Sequence, residues 1–180
     1  DIAIHIKNSI NPNKFPTTLF KHFSLPAFDN GQNPSIESGQ EILSSKYQLE
    51  SNSILVSKLN PIVPRVWMIL KADNNFISST EFQNFKPKNR NYLGFLYFLF
   101  KADTVIEQLA MSASGTSGSH QRVKPQDMLD IKFTTSNLNL VEKFSLMVES
   151  TLIKQHENLK QIRTLQSMRD TLLPKLISGE

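Results

Sequence analysis

The spacing of apolar residues changes near residue 137. Before it, short β-like runs alternate with turn residues. "SNSILVSKLN" reads as a turn at Ser51 and Asn52 followed by a strand, "RVWMIL" as the next strand and "LDIKFTT" as another. Pro61 and Pro64 bracket "NPIVP", which cannot continue a ladder because proline has no N–H to give. One helix, Arg90 to Met111, interrupts the strands and is expected to bury Leu93, Leu96, Leu99, Phe100, Ile106 and Leu109. Trp67 is expected in the core rather than at a stacking surface.

After residue 137 the pattern is helical. Leu138 to Leu173 contains neither glycine nor proline, and apolar residues recur at Leu140, Phe144, Val148, Leu152, Leu159, Ile162, Leu165, Met168 and Leu172. Asn137 or Asn139 caps the start, and Pro174 and Gly179 bound the end. About 36 residues of helix are about 54 Å long. That exceeds the width of a small domain, so the pattern predicts a protruding helix that pairs with another. Gln155, His156 and Asn158 interrupt its seam near the middle. The fold class that follows is α+β: a β-rich head with a helix over residues 1–137, then a long coiled-coil-like helix over 138–180.

Length and composition narrow this further. At 180 residues, 39% hydrophobic and 20% charged, the chain suits one globular domain with an appendage. The net charge of +4 is unevenly placed. Lys58 to Lys101 holds seven basic and two acidic residues, whereas six basic and five acidic residues from Leu138 onward nearly cancel. The positive excess therefore belongs to the head, and the helix is built for protein contact. There is no cysteine, which removes disulfides and thiolate metal sites and fits a reducing cytoplasm. No basic-then-apolar leader is visible at Asp1, and the missing initiator Met suggests a trimmed or partial chain. The longest apolar run, "YLGFLYFLF", is half of the roughly 20 residues that cross a bilayer, so no membrane contact is expected.

Two polar stretches stand out. "NFKPKNRN" sets Lys86, Lys88 and Arg90 among Asn84, Asn89 and Asn91, a composition suited either to phosphates and base edges or to a solvated loop. "SASGTSGSHQRV", Ser112 to Val123, concentrates glycines and hydroxyls before His120, Gln121 and Arg122. It lacks the lysine of a phosphate-binding loop, and Gly115-Thr116-Ser117-Gly118 is one residue short of a nucleophile elbow. His5, His22, His120 and His156 are scattered singly, which does not make a metal site. Asp130-Ile131-Lys132 fits half of a nuclease motif, and Asn60-Pro61-Ile62-Val63 fails a methyltransferase motif at two of four positions. No catalytic constellation is legible.

Four segments carry a resemblance: "HFSLPAFDNG", "ILVSKLNPIVPRVWMI", "LAMSASGTSGSHQRVKPQDMLDIKF" and the terminal "MRDTLLPKLISGE". In that order, from about His22 to Glu180, they resemble a target-recognition domain and the helix that follows it in the specificity subunit of a type I restriction-modification system. The proline pair and glutamine common in that family after the last strand are missing from "TTSNLNLVEKF".

The resemblance implies a subunit that does no chemistry. It reads half of a bipartite target in double-stranded DNA and docks a methyltransferase subunit, with a restriction subunit left open. S-adenosylmethionine is then expected on the partner, and no cofactor on this chain. DNA-contact candidates are Lys58, Asn60, Arg65, Lys86, Lys88, Arg90, Gly115, Thr116, Ser117, Gly118, His120 and Arg122. Phe144, Val148, Leu152, Gln155, Leu159, Ile162, Leu165 and Leu172 are expected to form a homodimer or partner seam. The competing reading is a coiled-coil oligomerisation scaffold whose head binds protein.

Overall fold

A computed structural model describes residues 2–115, 121–135 and 137–179. Among these residues nine strands form two sheets. The first contains β1 (Ala3–Ile6), β9 (Phe82–Pro87), β6 (Ser53–Ser57) and β7 (Val66–Ile69), in that order and all antiparallel. The second runs β2 (Ser9–Ile10), β5 (Lys46–Gln48), β8 (Phe76–Ser78), β3 (Leu19–Phe23) and β4 (Ser35–Ser38), with β3 and β8 parallel. Asn52 turns into β6 with φ +58, as the Ser51-Asn52 turn requires.

β6 is buried along its whole length, so each face of the first sheet meets a different core. On one face Trp67 meets the edges of Phe23, Phe28 and Phe82, beside the short helix α1 (Leu25–Asp29). On the other, Ile54, Val56 and Phe85 pack under α2 (Leu93–Leu99) and α3 (Asp103–Ser112).

The helix expected from Arg90 to Met111 is therefore two helices behind a 3₁₀ turn at Arg90–Tyr92. The chain breaks at Phe100–Ala102, and Asp103 opens α3 where its charge suits the N-terminal dipole. The bend lets Phe100, stacked on Phe85 at 5.3 Å, and Val105 and Leu109 enter the same core.

"LDIKFTT" is not a strand. Leu129 ends α4 (Pro125–Leu129), and Ile131 and Phe133 pack on the core from irregular backbone. The Gln108 side chain supplies what a ladder would: Nε2 donates to the Lys132 carbonyl (3.3 Å), and the Lys132 N–H donates to Oε1 (3.3 Å). Alternating apolar residues thus mark an anchored loop whose backbone partners come from a side chain.

α5 (Leu138–Ser178) is one helix of 41 residues, about 62 Å long. Asn137 caps it, accepting from the Leu140 N–H at 3.0 Å, and Gly179 closes it in the left-handed conformation (φ +76). Pro174 lies inside the helix rather than ending it. Nor does the helix protrude from its start. Val141, Ser145, Val148 and Leu152 face the head, and Arg163 Nη2 still reaches the carbonyls of Gly31 (3.3 Å) and Gln32 (2.6 Å). Only the last four turns run beyond these contacts.

Candidate nucleic-acid interface

The head presents one compact polar knuckle, built on the turn after β6. Asn60 adopts φ +50, the Val63 N–H donates to the Asn60 carbonyl (3.0 Å), and the Ser57 N–H donates to the Arg65 carbonyl (3.0 Å). This tight excursion pushes Ile62 and Val63 outward, 62% and 44% exposed. Pro61 and Pro64 remove two N–H groups that would otherwise extend the ladder.

The segment after α3 closes the base of the knuckle. The Asn60 N–H donates to the Gln121 carbonyl (3.0 Å) and the Val123 N–H to the Lys58 carbonyl (2.9 Å). Arg122 exchanges both backbone bonds with Ser114, at 2.9 and 3.1 Å. Gly115 follows at φ +143, a conformation that side chains disfavour. Glu81, just before β9, lies beside both segments. Its carboxylate is 3.8 Å from Lys58 Nζ and 3.4 Å from Arg122 Nε, and its carbonyl accepts from the Lys58 N–H (2.9 Å). Thr116, Ser117, Gly118 and His120 lie outside the described residues.

Lys58, Asn60, Gly115 and Arg122 thus come together, while the other cations are placed elsewhere. Arg65 binds both carboxylate oxygens of Asp29 at 2.7 and 3.0 Å, which holds the Asp29 carboxyl below its ordinary pKa and ties α1 to β7. "NFKPKNRN" is not a loop through most of its length. Asn84 to Pro87 belong to β9, with Asn84 fully buried, and only Lys88 and Asn89 precede the 3₁₀ turn. Lys86 Nζ pairs with Glu50 at 2.8 Å. Arg90 reaches Glu149, and Asn91 reaches Glu142, both on α5. β9 puts about 20 Å between this group and the knuckle, since six residues advance about 3.3 Å each.

The helix seam divides in the same way. Val148 and Leu152 pack on the head core, Phe144 meets the rings of Phe95 and Phe98, and Gln155 and Leu159 line a cleft against the head. Ile162, Leu165 and Leu172 are left 49–64% exposed. Sequence reasoning missed Glu81, Ile62 and Val63. Glu81 carries no motif, and its role arises only because β9 returns beside β6.

Among the described residues no cluster of His, Cys, Asp and Glu is placed to hold a metal ion, and no helix is long and apolar enough to cross a membrane. No family model matches the chain, and no curated protein does. Solved structures match it from end to end. The HsdS subunit from Thermoanaerobacter tengcongensis is similar over 99% of this chain and 46% of its own, at 18% identity and a TM-score of 0.64. A chain from a type I R-M system, solved for its complex assembly and conformational transition, is similar over 99% and 46% at 21% identity and a TM-score of 0.66. The type I restriction-modification S subunit from M. genitalium is similar over 99% and 44% at 20% identity and a TM-score of 0.61. The chain spans less than half the length of each. With both head and long helix superimposed, it has the α+β fold of one half of a type I restriction-modification specificity subunit.

Proposed function

We propose that this chain is a non-catalytic DNA-specificity module. It reads one half of a bipartite duplex target and docks a methyltransferase subunit that supplies S-adenosylmethionine and the chemistry. The observation that carries the reading is the fold match, which spans the head and the helix together.

The knuckle supports the same reading. Lys58 and Arg122 offer cations to phosphates, and Asn60 offers an amide to a base edge. Ile62 and Val63 are apolar groups held out beside them, suited to a thymine methyl in the major groove. Thr116, Ser117, Gly118 and His120 follow Gly115 in the sequence, and their hydroxyls and imidazole are of the kind that contacts a phosphate backbone.

Duplex binding by the intact chain, titrated against salt, tests the proposal. Phosphate contacts release counterions, so log K should fall linearly with log salt. With a methyltransferase subunit and S-adenosylmethionine, adenine methylation at a split site should appear. Binding with no salt slope would leave the protein-binding scaffold as the reading, and methyl transfer by the chain alone would overturn its non-catalytic role.

A further inference from the structure

A cleft of about 270 Å³ lies between the head and α5, and the knuckle takes no part in it. Phe23, Ile69 and Leu152 give it an apolar floor. Its rim is cationic. Lys21 comes from β3 and Lys71 from the segment after β7, while His156, Lys160 and Arg163 share one face of α5 at i, i+4 and i+7. Asp73 is the one carboxylate among the described lining residues.

Converging like charges at a half-buried seam cost free energy. The cost registers on both sides. Burial and the charges of Arg163 and Lys160 lower the Lys21 pKa. Burial and the charges of Arg163, Lys21 and Lys160 lower that of His156. Packing explains part of the arrangement. Arg163 holds the carbonyls of the left-handed Gly31-Gln32 turn, and Lys21 Nζ lies 4.7 Å over the ring of Phe76. Neither contact neutralises a charge. Lys160 Nζ has no ion pair or hydrogen bond among the described residues. A seam that only had to dock the helix would gain from apolar or acidic residues at 160.

We infer that this cleft is an anion site for a phosphate-type oxyanion, held between Lys21 of the head and Lys160 and Arg163 of the helix. The bound anion cancels the mutual repulsion and bridges the two parts, which fixes the direction in which α5 leaves the head. A small phosphoester and a nucleic-acid backbone phosphate supply the same chemistry, and the floor favours an ester with an apolar group.

Calorimetry of the intact chain with inorganic phosphate and with phenyl phosphate, against chloride of equal ionic strength, tests this. Saturable binding is expected, weakened at least tenfold by Lys21→Gln and by Lys160→Gln. Both side chains reach solvent, so circular dichroism should show an unchanged fold. Arg163→Lys keeps the charge and should retain affinity within a few-fold. Displacement of phenyl phosphate by a short duplex would assign the oxyanion to DNA, and a duplex that binds without displacing it would assign a small ligand. No saturable binding of either probe, or binding unchanged by both Gln substitutions, would overturn the site. Salt-dependent DNA binding through Lys58 and Arg122 is a separate measurement and survives either failure.

Discussion

The hydroxyl of Ser145 on α5 accepts hydrogen bonds from the backbone N–H groups of Gly94 (2.8 Å) and Phe95 (3.3 Å) at the start of α2. N–H groups in a first helical turn have no carbonyl partner of their own, so one helix completes the other. The approach is close. A Cβ on Gly94 would lie 2.8 Å from both the Ser145 carbonyl oxygen and Val148 Cγ2. Ser145→Ala should cost about 1–3 kcal/mol, because it strands buried donors. Gly94→Ala should cost at least about 1–3 kcal/mol through overpacking. Urea unfolding followed by circular dichroism measures both, and unchanged midpoints would mean that α5 is not fastened here.

At the knuckle, Lys58→Ala and Arg122→Ala should each lower the magnitude of the salt slope of DNA binding by about 1, uniformly across sequences. Asn60→Ala should instead relax preference at one base position, by about 1–3 kcal/mol if its amide pairs with a base edge. Glu81→Gln should weaken DNA binding although it removes a negative charge, because Lys58 and Arg122 lose the carboxylate that orders them. Tighter binding by that variant would show that Glu81 only repels phosphate. Slope changes at Lys86, Lys88 or Arg90 as well would put both ends of β9 on the duplex.

Acid should destabilise the chain before any carboxylate titrates. Burial lowers the pKa of His5, His22 and His156, in His22 despite the Glu37 carboxylate 3.1 Å from Nδ1. His22 therefore stays neutral near pH 7 and donates its Nδ1–H to Glu37. A depressed histidine binds more protons unfolded than folded between its folded pKa and about 6.5. Stability is thus full above about 6.5 and falls as the pH drops through that window. Asp29 and Glu37, both held below their ordinary values, extend the loss to lower pH. The urea midpoint should begin to fall just below pH 7, and His22→Gln should flatten that first limb. A midpoint constant down to pH 5 would count against buried neutral histidines.

The parts of the fold that were legible in the sequence are those with a local cause. Turn residues delimit β6 and β7, and 3.6-residue periodicity over a stretch free of glycine and proline up to Leu173, with an asparagine cap, marks α5. What was not legible has a distant cause. Gln108 replaces a ladder for Lys132, 24 residues away, and β1 makes a strand of "NFKP" by pairing Ile4 with Lys86. Pro174 shows the limit of a local rule: beyond the head the helix loses one bond and continues. Charge counts found the basic head but not its use, because Asp29, Glu50 and Glu149 occupy Arg65, Lys86 and Arg90 from elsewhere in the chain.

The unspent part of α5 carries the last prediction. Val148, Leu152, Gln155 and Leu159 face the head, so the face left for a partner begins at Ile162, later than the whole-helix seam implied. Ile162, Leu165, Met168, Leu172 and Leu176 follow at helical spacing, each 49–75% exposed. Burial of such side chains is worth roughly 1.5–3 kcal/mol apiece, and beyond Arg163 the head offers them no cover. A second copy packed antiparallel over this stretch would bury both stripes in one closed, two-fold contact. It would also hold the two heads apart at opposite ends, the geometry a split target needs. Leu165→Asp with Leu172→Asp should give a monomer with a folded head and weakened binding to a two-part site, while binding to a single half-site persists. Sedimentation decides it. If the unmodified chain is already a monomer at tens of micromolar, the stripe belongs to a second helix of a longer subunit, and the same double substitution should then abolish pairing with that helix when it is supplied as a separate peptide.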